Sequence, residues 1–96
     1  MITVLIPGVL RGEAEGANRL TVEAGGPVTL GAVLDQIGAA WPRLERRIRD
    51  ERGGLRRYVN VYVDGDECRG LDGLATPVPD GAEIQVLPSV AGGAPD

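Results

Sequence analysis

The sequence YVNVYVDG at residues 58–65 alternates valine with larger or polar residues and then ends in Asp-Gly. Valine at every second position predicts a strand with one buried face, because the side chains of a strand point alternately to opposite sides of a sheet. The Asp64-Gly65 pair is typical of a two-residue hairpin turn, which requires positive φ at both positions. Residues 58–65 therefore predict a core strand that ends in a hairpin.

Three other segments have the composition of strands: Ile2–Pro7, the alternating residues around Leu20 and Val22, and Ala82–Leu87. The segment Gly8–Asn18 holds three glycines and little periodicity, which predicts a long turn between the first two strands. Pro88 should end the last strand, because proline has no amide proton to donate to a neighbouring strand.

The middle of the chain predicts a helical face, because its apolar residues recur every three or four positions, at Leu30, Val33, Leu34, Ile37, Trp41, Leu44 and Ile48. Pro42 interrupts this pattern, since proline clashes with the preceding turn of a helix. We therefore expect two helices, at about residues 30–41 and 43–51. Thr29 is a plausible N-cap of the first helix, and Gly53-Gly54 should end the second.

The order β-β-α-β-β predicts an α+β domain with an amphipathic helix on one face of a sheet. In order and length it resembles the ubiquitin-like β-grasp fold, whose sheet is mixed. We expect residues 1–88 to form this domain. Residues 89–96 are small and polar, so they predict a flexible C-terminal tail.

The composition excludes several classes of function. The chain has 96 residues, a net charge of −4 and 43% hydrophobic residues, which suits one small domain. It contains no histidine, and all ten basic residues are arginine, so catalysis by histidine, histidine-ligated zinc and Schiff-base lysine chemistry are excluded. The acidic balance argues against nucleic acid as a partner. We expect no bound metal, no membrane segment and a cytoplasmic location.

Two candidate sites have simpler interpretations. Cys68 is the only cysteine, and no histidine or lysine is available to lower its pKa, so we expect it to be incidental rather than catalytic. Asp64, Asp66 and Asp72 suggest a calcium loop, but the positions that require glycine and glutamate hold Arg69 and Ala75. A solvated hairpin end explains these carboxylates better.

Seven of the ten arginines lie between residues 43 and 57. They could form a basic docking patch for a partner. Acidic residues are interleaved with them, however, and a helix exterior of mixed charge needs no ligand to explain it. Both interpretations stay open on the sequence alone.

The pair Gly-Gly occurs three times, and only Gly92-Gly93 lies beyond the last predicted strand. A backbone without side chains can enter a narrow channel, and its terminal carbonyl meets no steric obstruction. Such an end suits the delivery of a C-terminal carboxylate to the active site of another protein. The alternative is an inert, flexible end.

The segments VLPSVAGG at 86–93, YVNVYVDG at 58–65 and Asp80-Gly81 resemble the MoaD/ThiS sulfur carrier family. The likeness is strongest to carriers of molybdopterin or cysteine biosynthesis, which end in Val-Ala-Gly-Gly. It covers nearly the whole domain, most clearly from Tyr58 onward. The resemblance implies a β-grasp fold and a protein that serves as a co-substrate rather than as an enzyme.

The resemblance also implies the site. Gly93 would be adenylated and then converted to a thiocarboxylate that donates sulfur, while Val90, Ala91 and Gly92 would be recognised in the tail. The implied partners are an E1-like adenylyltransferase of the MoeB/ThiF type and a sulfur-accepting synthase. These enzymes would use ATP and a sulfur source, and the carrier itself would bind no cofactor and hold no catalytic residue.

One feature departs from the family pattern: Ala94, Pro95 and Asp96 follow Gly93, whereas a competent carrier ends at the diglycine. The resemblance therefore implies a cut between Gly93 and Ala94 by a JAMM-type metalloprotease.

Because a short tail alone gives little selectivity, we also expect an apolar docking patch on the exposed sheet face near the last strand. Leu74, Val78 and Leu87 are its candidate residues. The alternative is that these three side chains complete the core.

Two other functions stay open. A ubiquitin-like modifier would use the same activated glycine with a lysine of another protein as the acceptor. A β-grasp interaction module would have an inert tail. For a sulfur carrier, acceptors in cysteine, molybdopterin, thiazole and thiosugar pathways all stay open.

Overall fold

The computed structural model describes residues 1–88, and the predicted tail of residues 89–96 lies outside the described residues. Seven strands lie within this range: β1 Ile2–Leu5, β2 Arg19–Val22, β3 Val28–Thr29, β4 Val59–Val63, β5 Asp66–Glu67, β6 Pro77–Val78 and β7 Glu83–Pro88. The helices in the same range are α1 Leu30–Ala40, α2 Pro42–Ile48 and three 3₁₀ helices, at Gly8–Ala14, Cys68–Gly70 and Gly73–Ala75. None of these helices is long and apolar enough to cross a bilayer.

The main sheet has five strands in the order β2-β1-β7-β4-β5. Strand β7 runs parallel to β1 and antiparallel to β4, so the sheet is mixed and β7 is its central strand. A separate ribbon pairs β3 with β6. This arrangement, with helices on one face, confirms the expected α+β class and β-grasp architecture.

The core lies between one face of the sheet and the two α-helices. Alternate residues of β4 and β7 are buried, as their valine and isoleucine spacing predicts. The helical stripe meets them, with the buried residues Leu30, Val33, Leu34, Ile37, Leu44 and Ile48. Burial of these side chains is the main favourable contribution to folding.

Three local predictions are confirmed. The Thr29 hydroxyl accepts a hydrogen bond of 3.2 Å from the Ala32 amide, which caps α1. Pro42 separates the helices and occupies the first turn of α2, where its missing amide proton is tolerated. Asp64 and Gly65 have φ values of 50° and 92°, as the hairpin turn between β4 and β5 requires.

Two boundaries were predicted wrongly. Within Gly8–Asn18, residues Gly8–Ala14 form a 3₁₀ helix instead of a turn, and this helix packs against α2. Helix α2 ends at Ile48, before Gly53-Gly54, because Arg49 already forms a β-bridge to Leu55. Tertiary contacts that the local pattern does not contain decide both boundaries.

Candidate functional site at the end of the central strand

Strand β7 leads the chain to the predicted functional tail. Its last residue, Pro88, is paired with Val59 of β4, and Leu5 of β1 and Arg19 of β2 lie at the same end of the sheet. We call this the exit end. Gly93 follows Pro88 by five residues, which span at most about 17 Å.

The residues predicted for attachment, recognition and processing lie outside the described residues. They are Val90, Ala91, Gly92, Gly93 and Ala94.

The outer face of the sheet, opposite the helices, carries both apolar and polar side chains near the exit end. Leu5, Gln85 and Tyr62 form one row across β1, β7 and β4. Leu87 and Asn60 form the next row toward the exit end. Leu87 is 38% exposed, which places one apolar side chain on this face next to the start of the tail.

The three predicted docking residues do not lie together. Leu87 lies on the exposed sheet face, as expected, but Val78 is only 1% exposed and pairs with Val28 in the small ribbon. Leu74 is partly buried against the core, in a 3₁₀ helix that contacts the start of α1. The prediction is therefore wrong in placing Val78 and Leu74 on the exposed sheet face, because the β3–β6 ribbon and the helix contact hold them at the core.

A groove opens beside the exit end between β1 and β7. Arg11, Arg19 and Leu87 are among its lining residues. Its volume is about 230 Å³, which is below the usual range of about 300–1,000 Å³ for small-molecule sites.

Arg69 fixes the start of β4, the strand that pairs with Pro88. Its guanidinium group donates to the carbonyl oxygens of Val59 at 2.9 Å and Arg56 at 2.8 Å. It also donates to the side-chain oxygen of Asn60 at 3.2 Å. No local sequence pattern indicates this role, because these partners lie 9 to 13 residues away.

Cys68 is fully buried. Burial raises the pKa of its thiol, and the nearby Glu67 carboxylate raises that pKa further. The thiol is therefore protonated near neutral pH and inaccessible, so it is suited neither to nucleophilic attack nor to accepting an acyl group.

One carboxylate of the β4–β5 hairpin takes part in a hydrogen bond within the fold. Asp64 accepts a hydrogen bond of 2.9 Å from the Glu83 amide, which joins the turn to the start of β7. Within residues 1–88, no group of three or more cysteine, aspartate or glutamate side chains could hold a metal ion.

Comparison with known sequences places the chain in a family. The model of the ThiS family matches residues 4–93. The sulfur carrier protein CysO of Mycobacterium tuberculosis is 40% identical over 94 residues, which are 96% of this chain and 98% of that protein. Small archaeal modifier protein 1 of Haloferax volcanii is 36% identical over 81 residues, which are 84% of this chain and 88% of that protein.

Solved structures agree with the sequence comparison. A chain in the crystal structure of the Amycolatopsis orientalis BexX/CysO complex superposes with a TM-score of 0.85 at 30% identity, covering 95% of this chain and 98% of that chain. The crystal structure of Mycobacterium tuberculosis CysO gives a TM-score of 0.83 at 35% identity, covering 94% and 100%. Since the family match spans nearly all of the sequence and the fold agrees, the chain belongs to the ThiS family.

Proposed function

We propose that this chain is a sulfur carrier protein, in which Gly93 receives sulfur as a thiocarboxylate and delivers it to a biosynthetic acceptor. One observation carries the proposal: the family match runs through the diglycine to Gly93, in a chain 40% identical to a sulfur carrier protein over nearly its full length.

The chemistry needs activation, because a carboxylate is a poor electrophile. ATP would convert the Gly93 carboxylate into an acyl adenylate and release pyrophosphate. Hydrosulfide would then attack the acyl carbon, with AMP as the leaving group and loss of one proton, to leave the thiocarboxylate. ATP and the sulfur source belong to the partner enzymes, so the carrier contributes the reacting carboxylate and the surface that these enzymes recognise.

The proposed partners are an E1-like adenylyltransferase of the MoeB/ThiF type and a sulfur-accepting synthase. The CysO protein of Amycolatopsis orientalis crystallised as a complex with BexX, which supports direct contact between a carrier and another protein. Val90, Ala91 and Gly92 would be recognised as extended chain inside the partner, and Leu87 would contact the partner at the base of the tail.

Leu87→Asp tests the proposed contact at the base of the tail. Leu87 is 38% exposed, so the variant should stay folded, as its melting temperature checks, while its KM for the adenylyltransferase rises about tenfold, as for loss of an interface anchor. Thr21→Asp, also exposed on β2 but away from the exit end, is the control. Equal KM values for the two variants would show that Leu87 does not contact the adenylyltransferase.

The function is tested with a protein that ends at Gly93. Incubation with ATP, the adenylyltransferase and sulfide should add the mass of sulfur in place of one carboxyl oxygen, measured by intact-mass spectrometry. The matched control is the full chain through Asp96, whose Gly93 carbonyl is held in a peptide bond and cannot be adenylated. Formation of the thiocarboxylate by the uncut full chain would contradict the role of Gly93.

Maturation should cut the chain between Gly93 and Ala94, through a JAMM-type metalloprotease. Three residues follow the last residue of the family match, and a thiocarboxylate requires a free Gly93 carboxylate. The intact mass of the protein purified from its native cells should correspond to residues 1–93. Detection of only the 96-residue form while the pathway is active would overturn the processing step.

A second candidate function is protein modification, favoured by the 36% identity to small archaeal modifier protein 1. The modifier would use the same Gly93 adenylate but transfer the acyl group to a lysine of another protein. The chain has no lysine, so it offers no side-chain amine for conjugation to itself. Isopeptide-linked conjugates in native cells would favour this function, and failure of the Gly93-ended chain to be adenylated would leave only an interaction module with an inert tail.

A further inference from the structure

The exit end of the sheet is lined by arginines that are far apart in the sequence. Arg19 is paired with Leu5 at the start of β2, and Arg11 lines the groove that also contains Leu87. On the other side of β7, the chain segment before β4 contributes Arg56 and Arg57, and Arg69 lies against it. We call these the exit arginines: Arg11, Arg19, Arg56, Arg57 and Arg69.

Hydrogen bonds hold Arg56 and Arg69 close to Pro88, the last residue of β7. Val59, the partner of Pro88, donates its amide to the Arg56 carbonyl at 3.0 Å. Arg69 donates to the same Arg56 carbonyl and to the Val59 carbonyl. Pro88 therefore lies between two arginine-bearing segments, one on the β1 side and one on the β4 side.

The opposite end of the sheet is acidic. Glu83 begins β7 and donates its amide to the Asp64 carboxylate, while Asp66 begins β5 next to the same hairpin. Asp80 forms an ion pair with the N-terminal amine at this end. The two ends of β7 therefore differ in their charged side chains, with arginines at the exit end and carboxylates at the far end, in a chain whose net charge is −4.

The exit arginines differ in how strongly they are engaged within the domain. Arg11 and Arg56 each donate to a backbone carbonyl, and Arg69 also pairs with the Glu67 carboxylate at 3.4 Å. Arg19 and Arg57 are exposed on opposite sides of the exit. Within residues 1–88, neither of these two side chains forms a hydrogen bond or an ion pair.

We infer that the exit arginines form a docking surface for a partner protein whose tail-accepting opening is rimmed by carboxylates. This inference rests on the proposed function, because a partner that takes Gly93 into its active site must cover the point where the tail leaves the domain. The five residues from Pro88 to Gly93 span at most about 17 Å, so a partner that holds Gly93 in its active site lies within that distance of Pro88. Any partner surface at the exit therefore faces the guanidinium groups, and carboxylates are the side chains that pair with them most strongly.

The difference in charge between the two ends of β7 should also affect how the domain approaches its partner. Opposite charges at the exit end and at the far end orient the domain in the field of an acidic partner before contact, with the tail foremost. Nucleic acid is a poorer fit for the same surface, because the acidic domain as a whole repels a polyphosphate.

The test uses the Gly93-ended protein and the adenylyltransferase of the same organism. The variant Arg19→Gln/Arg57→Gln removes two positive charges without breaking a side-chain hydrogen bond or ion pair within the described residues. The control Gln36→Glu/Ala75→Glu changes the net charge by the same amount at exposed positions away from the exit end. The readout is kcat/KM for ATP–pyrophosphate exchange between about 20 and 300 mM NaCl, a range over which screening changes strongly.

For the parent and the control, we expect kcat/KM to fall as salt rises. The arginine variant should have about tenfold lower kcat/KM at low salt, through KM, and a shallower dependence on salt, as for charges at the rim of an interface. Equal salt dependence in the arginine variant and the control would overturn the docking surface while leaving the proposed function intact. Absence of exchange in every protein would overturn both. Tighter binding of a labelled DNA duplex than of the enzyme would reassign the surface to nucleic acid.

Discussion

Replacing Gly93 by leucine in the protein that ends at residue 93 should reduce the rate of thiocarboxylate formation about 100-fold or more. Leucine adds a branched side chain next to the reacting carbonyl, where the approach of ATP and then of hydrosulfide requires space. A displacement of about 1 Å from the reactive geometry can already cost about 100-fold. The rate of appearance of the sulfur-containing mass measures the effect.

Gly25→Leu is the matched control for this prediction. Gly25 belongs to another Gly-Gly pair and is exposed, and apart from itself and its two chain neighbours no heavy atom lies within 4 Å of the position that a Cβ would occupy. The control should therefore convert at the parent rate. Equal losses in the two variants would show that the effect is not specific to the end of the tail, and full activity of Gly93→Leu would contradict the assignment of Gly93 as the acyl donor.

Ile84→Ala should destabilise the domain by about 3 kcal/mol, within the usual range for removing a buried isoleucine side chain. Ile84 is fully buried in β7, with Val4 on one side and Val63 on the other. The substitution leaves a cavity at the centre of the sheet, where neighbouring strands on both sides limit relaxation. Domains of this size have total stabilities of about 5–15 kcal/mol, so the loss is a large share of the total.

Urea denaturation followed by circular dichroism measures this loss. Gln85→Ala changes the next residue of the same strand, whose side chain is exposed on the outer face, and should cost less than about 0.5 kcal/mol. A similar loss for both variants would contradict the assignment of Ile84 to the centre of the core.

The fold class was predictable because its signals are local. The alternation in 58–65 and the stripe of apolar residues from Leu30 to Ile48 each depend on residues a few positions apart, and the structure confirms both. The hairpin at Asp64-Gly65 is equally local, since the turn type follows from the φ preferences of two residues.

The errors concern positions decided by distant parts of the chain. Val78 lies in a turn-rich segment and was expected on the exposed sheet face. Its pairing with Val28, fifty residues earlier in the chain, buries it instead. Helix α2 ends early because Arg49 pairs with Leu55 and bonds to Asp35 of α1 at 2.7 Å. The arginine cluster of residues 43–57 is likewise divided by tertiary contacts, since Arg47 pairs with Glu13 at 3.4 Å while Arg57 is exposed next to the exit.

Residue types alone limit the chemistry available to this protein: no histidine, no lysine, one cysteine, and a diglycine beyond the last strand. The folded arrangement was needed to show that Cys68 is buried and that Arg19 and Arg57 lie on two sides of one exit. The folded arrangement is not visible in the sequence because β7 pairs with two strands that are distant in the chain. Its partners in β1 lie about eighty residues away, and its partners in β4 lie about twenty-five residues away. Residue types and short spacings are visible in the sequence, whereas the surface around Pro88 exists only once these distant strands have paired.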